Sequence, residues 1–200
     1  MEKKARTSYP IHDVIARRWS PRAFNPKKAL TKEFILSLLE AARWAPSAYN
    51  EQPWRFMLAT PDNPQEFADM LDCLVEANQV WARNASLLLI GCIETTFSRN
   101  GKPNTTAMFD LGLAVQNLLL ECTSKGVFGH VMTGFDPEKA RLRYKLPQTV
   151  EPIVAIAVGH RATSLDILPE ELREAEAALR ERKQAYEFTF REVWGNNSGI

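Results

Sequence analysis

The stretch Ala41-Ala42-Arg43-Trp44-Ala45-Pro46-Ser47-Ala48-Tyr49-Asn50-Glu51-Gln52-Pro53-Trp54-Arg55-Phe56 decides the fold. A helix runs into it, two prolines stiffen it and a strand leaves it. Pro46 disfavours helical dihedrals at Ala45, so the helix is expected to stop there. Ser47, Asn50 and Gln52 lie between the prolines. They are small polar groups on a stiff loop, suited to hydrogen-bonding a flat polar ligand. The same residues also suit a plain helix-to-strand connection whose side chains satisfy their own backbone. The loop alone does not separate the two readings.

Upstream, Thr31 is the expected N-cap. Phe34, Ile35, Leu38, Leu39 and Ala42 then recur at helical spacing. Earlier still, Pro10 opens a short helix with Ile11, Val14 and Ile15 on one face. It leads into Arg17-Arg18-Trp19-Ser20-Pro21-Arg22-Ala23-Phe24, with three arginines and a serine within six residues. Guanidinium groups present a planar fork of donors that grips phosphate. A solvated basic turn is the competing reading.

Downstream, Arg55 to Thr60 reads as a strand. Asp62-Asn63-Pro64 turns into a helix striped by Phe67, Met70, Leu71, Leu74 and Val75 that ends near Asn78. Ser86 to Cys92 is a short uniform apolar run, hence a buried strand. Phe97 to Asn104 is a loop. A long helix follows from Thr105 to about Lys125, capped by Gly126. Leu113 and Leu120 make it apolar on more than one side, which places it in the core or at a subunit interface. Phe128 to Pro137 contains Gly129 and Gly134, where backbone can approach a neighbour closely. Asp136-Pro137 starts a short helix. Pro152 to Gly159 is a second buried strand, and Pro169 to Lys183 a charged helix. Glu187 to Trp194 alternates Phe188, Phe190 and Trp194 with polar residues. Such a terminal strand needs another surface over its apolar face, a partner chain among the candidates.

Composition bounds the function. The 200 residues, 45% hydrophobic and 24% charged, suit one domain with a proper core. A net charge of +1 gives no electrostatic case for nucleic acid or an anionic membrane. No apolar run reaches membrane-spanning length and the start has no signal-like apolar core, so a cytoplasmic protein is expected. Cys73, Cys92 and Cys122 read as reduced core thiols. There is no Gly-x-Gly, so neither a dinucleotide fingerprint nor a phosphate loop, and no Gly-x-Ser-x-Gly elbow. His12, His130 and His160 are far apart and suit surface or packing roles. No Cys or His lies at metal-ligand spacing. An enzyme without protein nucleophiles or metals borrows its chemistry from an organic cofactor.

Arg18-Trp19-Ser20-Pro21-Arg22-Ala23-Phe24 resembles the Arg-x-Ser-x-Arg/Lys-x-Phe opening of the nitroreductase family of flavin enzymes. Ala45 to Trp54 resembles that family's Pro-Ser-x-x-Asn-x-Gln-Pro-Trp loop nearly residue for residue. Asn78 before the second strand, the long helix, the Met132-Thr133-Gly134-Phe135 turn and Glu151-Pro152 leading into a strand follow in the family's order. Arg180, Arg182 and Lys183 resemble its late basic phosphate site. The likeness covers Ile11 to about Trp194. Trp19 stands where Arg or His is common, and Trp81 where many relatives carry a basic residue.

The resemblance implies an α+β fold, a mixed central sheet covered by helices, with a domain-swapped C-terminal tail. The chain is then a single domain over residues 1–200, with a core over about 11–160 and a helix and dimer-embracing arm over about 165–200. It implies a homodimer binding FMN between subunits. Arg18, Trp19 and Ser20 would hold the phosphate end, with Arg180 and Arg182 helping. Arg22 would lie near the pyrimidine edge of the ring. Pro46, Ser47, Ala48 and Asn50 would come from the neighbouring subunit. Thr133 and Gly134 would face flavin N5, and Asn78 the ring or ribityl. No residue is assigned as a catalyst. NADH or NADPH would supply hydride in a ping-pong reduction of a nitroaromatic, quinone or similar small acceptor. Three alternatives stay open: a relative with other flavin chemistry, such as reductive dehalogenation or flavin breakdown; a flavin-binding protein without turnover; and a cofactor-free interaction domain.

Overall fold

Four apolar segments pair edge to edge into one sheet. They are β1 (Trp54–Ala59), β2 (Leu87–Glu94), β3 (Phe128–Met132) and β4 (Val150–Gly159), in the order β1-β2-β4-β3. This computed structural model describes residues 3–199. The central strands β2 and β4 are the runs without polar alternation. Both are buried along most of their length, as strands covered on both faces must be.

Side-chain alternation sends Leu87 and Leu89 to one face and Leu88 and Ile90 to the other. The first face packs under α2 (Lys32–Arg43) and α5 (Ala107–Ser124), whose Leu38, Ala42, Leu111 and Leu118 join Ile156 and Val158. The second face meets α3 (Pro64–Asp72), α4 (Glu76–Ala82) and α6 (Pro137–Tyr144), and gathers Phe24, Met70, Trp81 and Ala155.

The helix punctuation expected at Thr31, Asp136 and Gly126 holds, whereas the first helix opens at His12 and not at Pro10. Thr31 Oγ1 accepts from the Phe34 N–H at 3.2 Å, and Asp136 Oδ1 from the Lys139 N–H at 2.9 Å. α5 ends in a Schellman motif: Gly126, at φ +72°, donates to Thr123 O, and Val127 donates to Cys122 O. The short first helix is α1 (Asp13–Arg17), and His12 Nδ1 accepts from the Val14 N–H at its start. All three cysteines are free and buried. Burial pushes the Cys92 thiol up to about 11. Among the described residues no helix is long and apolar enough to cross a membrane.

Several expectations are corrected. All the sheet's pairings are antiparallel, so within the described residues the sheet is not mixed. A mixed sheet needs one strand running parallel to its neighbour. The tail from Glu187 to Trp194 supplies none. It forms a 3-10 turn at Ala185–Glu187 and folds back on itself through a Phe190–Asn197 bridge and a 2.8 Å Thr189–Ser198 hydroxyl contact. The helix expected to run from Pro64 to Asn78 is two, α3 and α4. It breaks because the intervening backbone pairs elsewhere: Leu74 bridges Phe135, the Asp136 N–H donates to Cys73 O, and the Val75 N–H to Gly134 O. The charged helix is shorter than its composition suggested, α7 (Glu170–Ala177). Ala178 turns extended, and the chain beyond it is drawn toward the N-terminal segment by Arg180, which donates to Lys3 O and Ala16 O.

Leu118 is fully buried at the α5–sheet contact. Leu118→Ala is predicted to lower the unfolding free energy by about 3 kcal/mol in urea denaturation. A loss under about 1 kcal/mol would place it outside the packed core.

Candidate functional site

The segment after α1 is fixed by one buried carboxylate. Glu176, 2% exposed on α7, accepts from the Arg22 N–H at 3.1 Å through both oxygens and from the Ala23 N–H at 3.3 Å. Its charge is therefore met by backbone. Among the described residues, no ion pair engages Arg18, Arg22, Arg180 or Arg182. These arginines line a cavity of about 200 Å³ with Lys3 and Ser20. Arg18 Nη1 donates to Ser20 Oγ at 3.3 Å, Arg180 Nη1 is occupied by the two carbonyls above, and Arg182 Nη1 donates to Glu181 O at 2.6 Å. Burial, and after it the charges of Arg180 and Arg182, push the Arg18 guanidinium below its ordinary pKa. Burial and Arg182 do the same to Arg180. Cations held together out of water form a receptor for an anion. Trp19 contributes a wall: its ring meets Phe128 edge-on at 6.2 Å between centroids, under Lys3 Nζ at 4.6 Å.

The edge strand β3 carries the next part. His130 Nδ1 lies 3.0 Å from Pro21 O, so the carbonyl accepts and Nδ1 carries the proton. Burial pushes the His130 pKa down to about 4, and the Arg22 and Arg18 charges act in the same direction. Its ring packs tilted on Trp81, 4.7 Å between centroids and 39° between planes, and Trp81 is fully buried against Phe24. Trp81 is thus a core residue. Past the end of β3, Asn78 Nδ2 donates to Gly134 O at 2.9 Å. A Cβ at Gly134 would come within 2.6 Å of that nitrogen and 3.0 Å of Val75 Cγ2, so a larger residue would push the Asn78 amide off the turn. Gly134 lies four positions beyond His130, past the end of β3 and so within roughly 13 Å of it along the chain. Thr133 is exposed and faces an apolar groove of about 670 Å³ between α5 and the β3–β4 edge, with Met108, Val115 and Phe135.

The Pro46 loop is strained and over-determined. Tyr49, Asn50 and Gln52 all take left-handed φ, 55°, 58° and 53°. Side chains hold them there. Ser47 Oγ accepts from the Gln52 N–H at 3.0 Å, and Glu51 Oε1 from the Ser98 N–H at 2.6 Å. Asp110, 2% exposed in the first turn of α5, accepts from the Ala48 N–H at 3.2 Å. Pro46 and Asn50 stay exposed, while Ser47 and Ala48 are half-buried.

Sequence reasoning passed over both carboxylates. Asp110 left a signal, as an acid in the first turn of an otherwise apolar helix. Glu176 left none, since it is one glutamate among several in α7.

Within this chain the two motifs are anchored at opposite ends of α5. Arg17 Nη1 donates to Thr123 O at 3.5 Å, tying the arginine segment to the last turn of α5. Asp110 ties the Pro46 loop to the first turn. Thirteen residues of helix, about 20 Å, lie between the anchors.

Asp110→Ala leaves the Ala48 N–H unmet. It is predicted to cost about 2 kcal/mol and to speed hydrogen exchange across residues 47–52; unchanged exchange there would exclude Asp110 as the anchor. His130 is held below its ordinary pKa of 6.5, at about 4. The unfolded chain therefore binds the extra proton first, and the stability His130 contributes is complete above pH 6.5 and lost as pH falls from 6.5 toward 4. His130→Gln is predicted to flatten that part of the stability–pH curve.

Comparison with known proteins follows the same motifs. The nitroreductase family model matches residues 15–160. Protein DrgA of Synechocystis sp. is 31% identical over 173 residues, covering 72% of this chain and 81% of that protein. The oxygen-insensitive NAD(P)H nitroreductase of Salmonella typhimurium is 24% identical over 193 residues, covering 76% of this chain and 89% of that protein. A solved structure described as an oxidoreductase containing FMN superposes with a TM-score of 0.89 at 34% identity, covering 96% of each chain. The matched span takes in the arginine segment, the strained loop, Asn78 and the Gly134 turn, and the chain belongs to the nitroreductase family.

Proposed function

We propose that this chain is an FMN-dependent NAD(P)H oxidoreductase acting as a homodimer. The observation that carries the reading is the set of arginines around Ser20 whose only neighbouring buried carboxylate among the described residues, Glu176, already caps backbone. That set fits a phosphate ester, which brings up to about two negative charges and oxygens that accept forked donors. Gly134 packs directly against the Asn78 amide, which fixes the turn past β3 where the ring would lie. Similarity to the FMN-containing oxidoreductase structure and to the Salmonella NAD(P)H nitroreductase supports the same choice.

In this reading Arg18, Ser20 and Arg182 hold the phosphate end, walled by Trp19. Arg180 positions the N-terminal segment over it and adds charge. Asn78 fixes the Gly134 carbonyl, and so the peptides around Thr133 and Gly134, beside the ring. Pro46, Ser47, Ala48 and Asn50 complete the cleft from the partner. This arrangement resolves the gap of about 20 Å along α5. Met108 and Phe109 are exposed on α5 and supply an apolar dimer face, while Phe188, Val193 and Trp194 are exposed on the tail that would embrace the mate. Three free, buried thiols fit a reducing cytoplasm.

When bound, FMN would supply the redox chemistry, a ping-pong hydride transfer from NADH or NADPH to a nitroaromatic, quinone or similar acceptor. The chain positions and polarises. Arg22 sets a fixed positive charge where negative charge develops, which favours the reduced state. The walls of Trp19 and the Gly134 turn exclude water, and no side chain acts as a base.

The purified protein should be yellow and bleach anaerobically on addition of NADH or NADPH. A colourless chain whose melting temperature ignores added FMN would overturn the cofactor assignment. A yellow one that never bleaches would overturn turnover. Arg22→Ala should slow flavin reduction about tenfold or more while changing the FMN Kd by less than about threefold. Equal reduction rates in variant and parent would remove Arg22 from this role.

A further inference from the structure

Beside the strained Pro46 loop stands a cluster of two rings and a cation that the cofactor contacts do not use. The Tyr49 ring meets Phe97 edge-on, 5.9 Å between centroids and 82° between planes. The Arg99 guanidinium lies 4.0 Å from the Tyr49 centroid and 5.2 Å from that of Phe97. Tyr49 is 75% exposed on backbone at φ +55°. A bulky side chain on left-handed backbone costs stability, and such strain gathers at ligand clamps. Burial does not recover the cost here.

Two rigid loops hold the cluster. Ser47 and Asp110 fix the Tyr49 loop. Opposite it, residues 95–104 close as a hairpin. Thr96 bridges Pro103, the Phe97 N–H donates to Lys102 O at 2.8 Å and the Asn104 N–H to Thr95 O at 2.8 Å, and Gly101 turns the tip at φ +68°. The bond from the Ser98 N–H to Glu51 Oε1 already fastens one loop to the other. The Tyr49–Arg99 contact is surplus to that fastening.

The charged residues of the two loops, 46–55 and 94–104, are Arg55, Arg99, Lys102, Glu51 and Glu94. Arg55 and Glu94 pair at 3.7 Å. Glu51 is taken by the Ser98 N–H, and that bond, followed by the Arg99 and Arg55 charges, holds its carboxyl below the usual range. Among the described residues no ion pair engages Arg99 or Lys102. Positive charge is therefore in excess. A guanidinium laid over a ring still offers the donors at its rim. An exposed aromatic ring with a cation fixed beside it is what a flat aromatic anion requires. Tyr49 lies between Ala48 and Asn50, two residues assigned to the flavin cleft.

We propose that Tyr49, Phe97 and Arg99 form the ledge that recognises the electron acceptor, and that this ledge selects a flat aromatic acceptor bearing a carboxylate. The proposal rests on the flavin reading above. Tyr49, propped by Phe97, stacks on the acceptor ring, and Arg99, aided by Lys102, meets the carboxylate. The ledge takes no part in the electron transfer itself. A nitro acceptor gains two electrons and two protons, loses one oxygen as water and leaves as the nitroso compound. NADH or NADPH supplies the hydride and solvent the second proton.

The test uses the full FMN-loaded chain with NADH and with NADPH. The acceptors are 4-nitrobenzoate and its neutral near-isostere 4-nitrobenzamide. Each is compared between parent and variant, so that its intrinsic reactivity cancels. Arg99→Ala should lower kcat/KM for 4-nitrobenzoate at least about fivefold relative to 4-nitrobenzamide, and Arg99→Lys should restore part of the loss. Added salt should erode the parent's ratio and leave that of Arg99→Ala unmoved. Tyr49→Ala should raise KM for both acceptors. The melting temperature and the rates of flavin reduction by NADH and NADPH should stay unchanged in Arg99→Ala. Equal effects on the two acceptors, a ratio that ignores both substitution and salt, or an effect confined to reduction by NADPH would each overturn the ledge. A chain that binds no FMN, or whose flavin neither donor reduces, fails the flavin reading instead. Calorimetric titration of 4-nitrobenzoate into parent and Arg99→Ala then decides the ledge: binding that requires Arg99 retains it, and any other result overturns it.

Discussion

A carboxylate taken out of water must be met by donors, and that constraint organises both halves of the candidate site. Glu176 meets it with the N–H groups of Arg22 and Ala23, and Asp110 with the N–H of Ala48. Each fixes a loop through its main chain. The consequence differs at the two ends. At Glu176 the acid nearest the arginines is occupied by backbone, which leaves the guanidinium charges for a ligand. At Asp110 the acid anchors a backbone that turns left-handed at Tyr49, Asn50 and Gln52.

Both arrangements cost stability. Left-handed φ at non-glycine residues costs about 1 kcal/mol or more each, and crowded arginines repel. The fold carries these costs because the loops hang from rigid supports. Asp110 projects from α5, which packs on a sheet whose central strands are buried on both faces. Glu176 sits on α7, and β4 runs on to pair with the arginine segment through the Phe24–Arg161 bridge. Strain is thus concentrated in short loops at the ends of well-packed elements, where a ligand can recover part of it.

Much of this was legible in the chain. The strands at Ser86–Cys92 and Pro152–Gly159, the caps at Thr31 and Asp136, and the Gly126 stop are local patterns, and local patterns set local structure. The arginine segment and the Pro46 loop were also readable as motifs. What stayed hidden is long-range. The break between α3 and α4 depends on backbone pairing of Cys73–Val75 with Gly134–Asp136, which no helical periodicity reports. The shortening of α7 depends on Arg180 reaching Lys3 and Ala16. The tail's alternation of Phe188, Phe190 and Trp194 read as a strand, yet among the described residues it pairs with neither edge strand and closes on itself. Glu176 was invisible because its role is set by burial, and composition made α7 look solvated.

The two glycines of the Phe128–Pro137 stretch show how such hidden constraints bear on chemistry. At Gly129 an added Cβ would meet Leu119 Cδ2 at 2.4 Å, so this glycine lets α5 lie close on β3. At Gly134 the obstacle is Asn78, whose amide nitrogen is held in place by its bond to Gly134 O. Both serve packing: the first seats α5 on β3, and the second seats the Asn78 amide on the turn. Because α5 is pressed onto β3, the groove containing Thr133 is walled by Val115 and Met108 of the same helix. The helix that spans the distance between the two anchored loops therefore also forms the floor beside the turn. A displacement of α5 along its axis would move the Asp110 anchor, the Arg17 tether and that floor together, which makes the packing of one helix the common reference for every part of the candidate site.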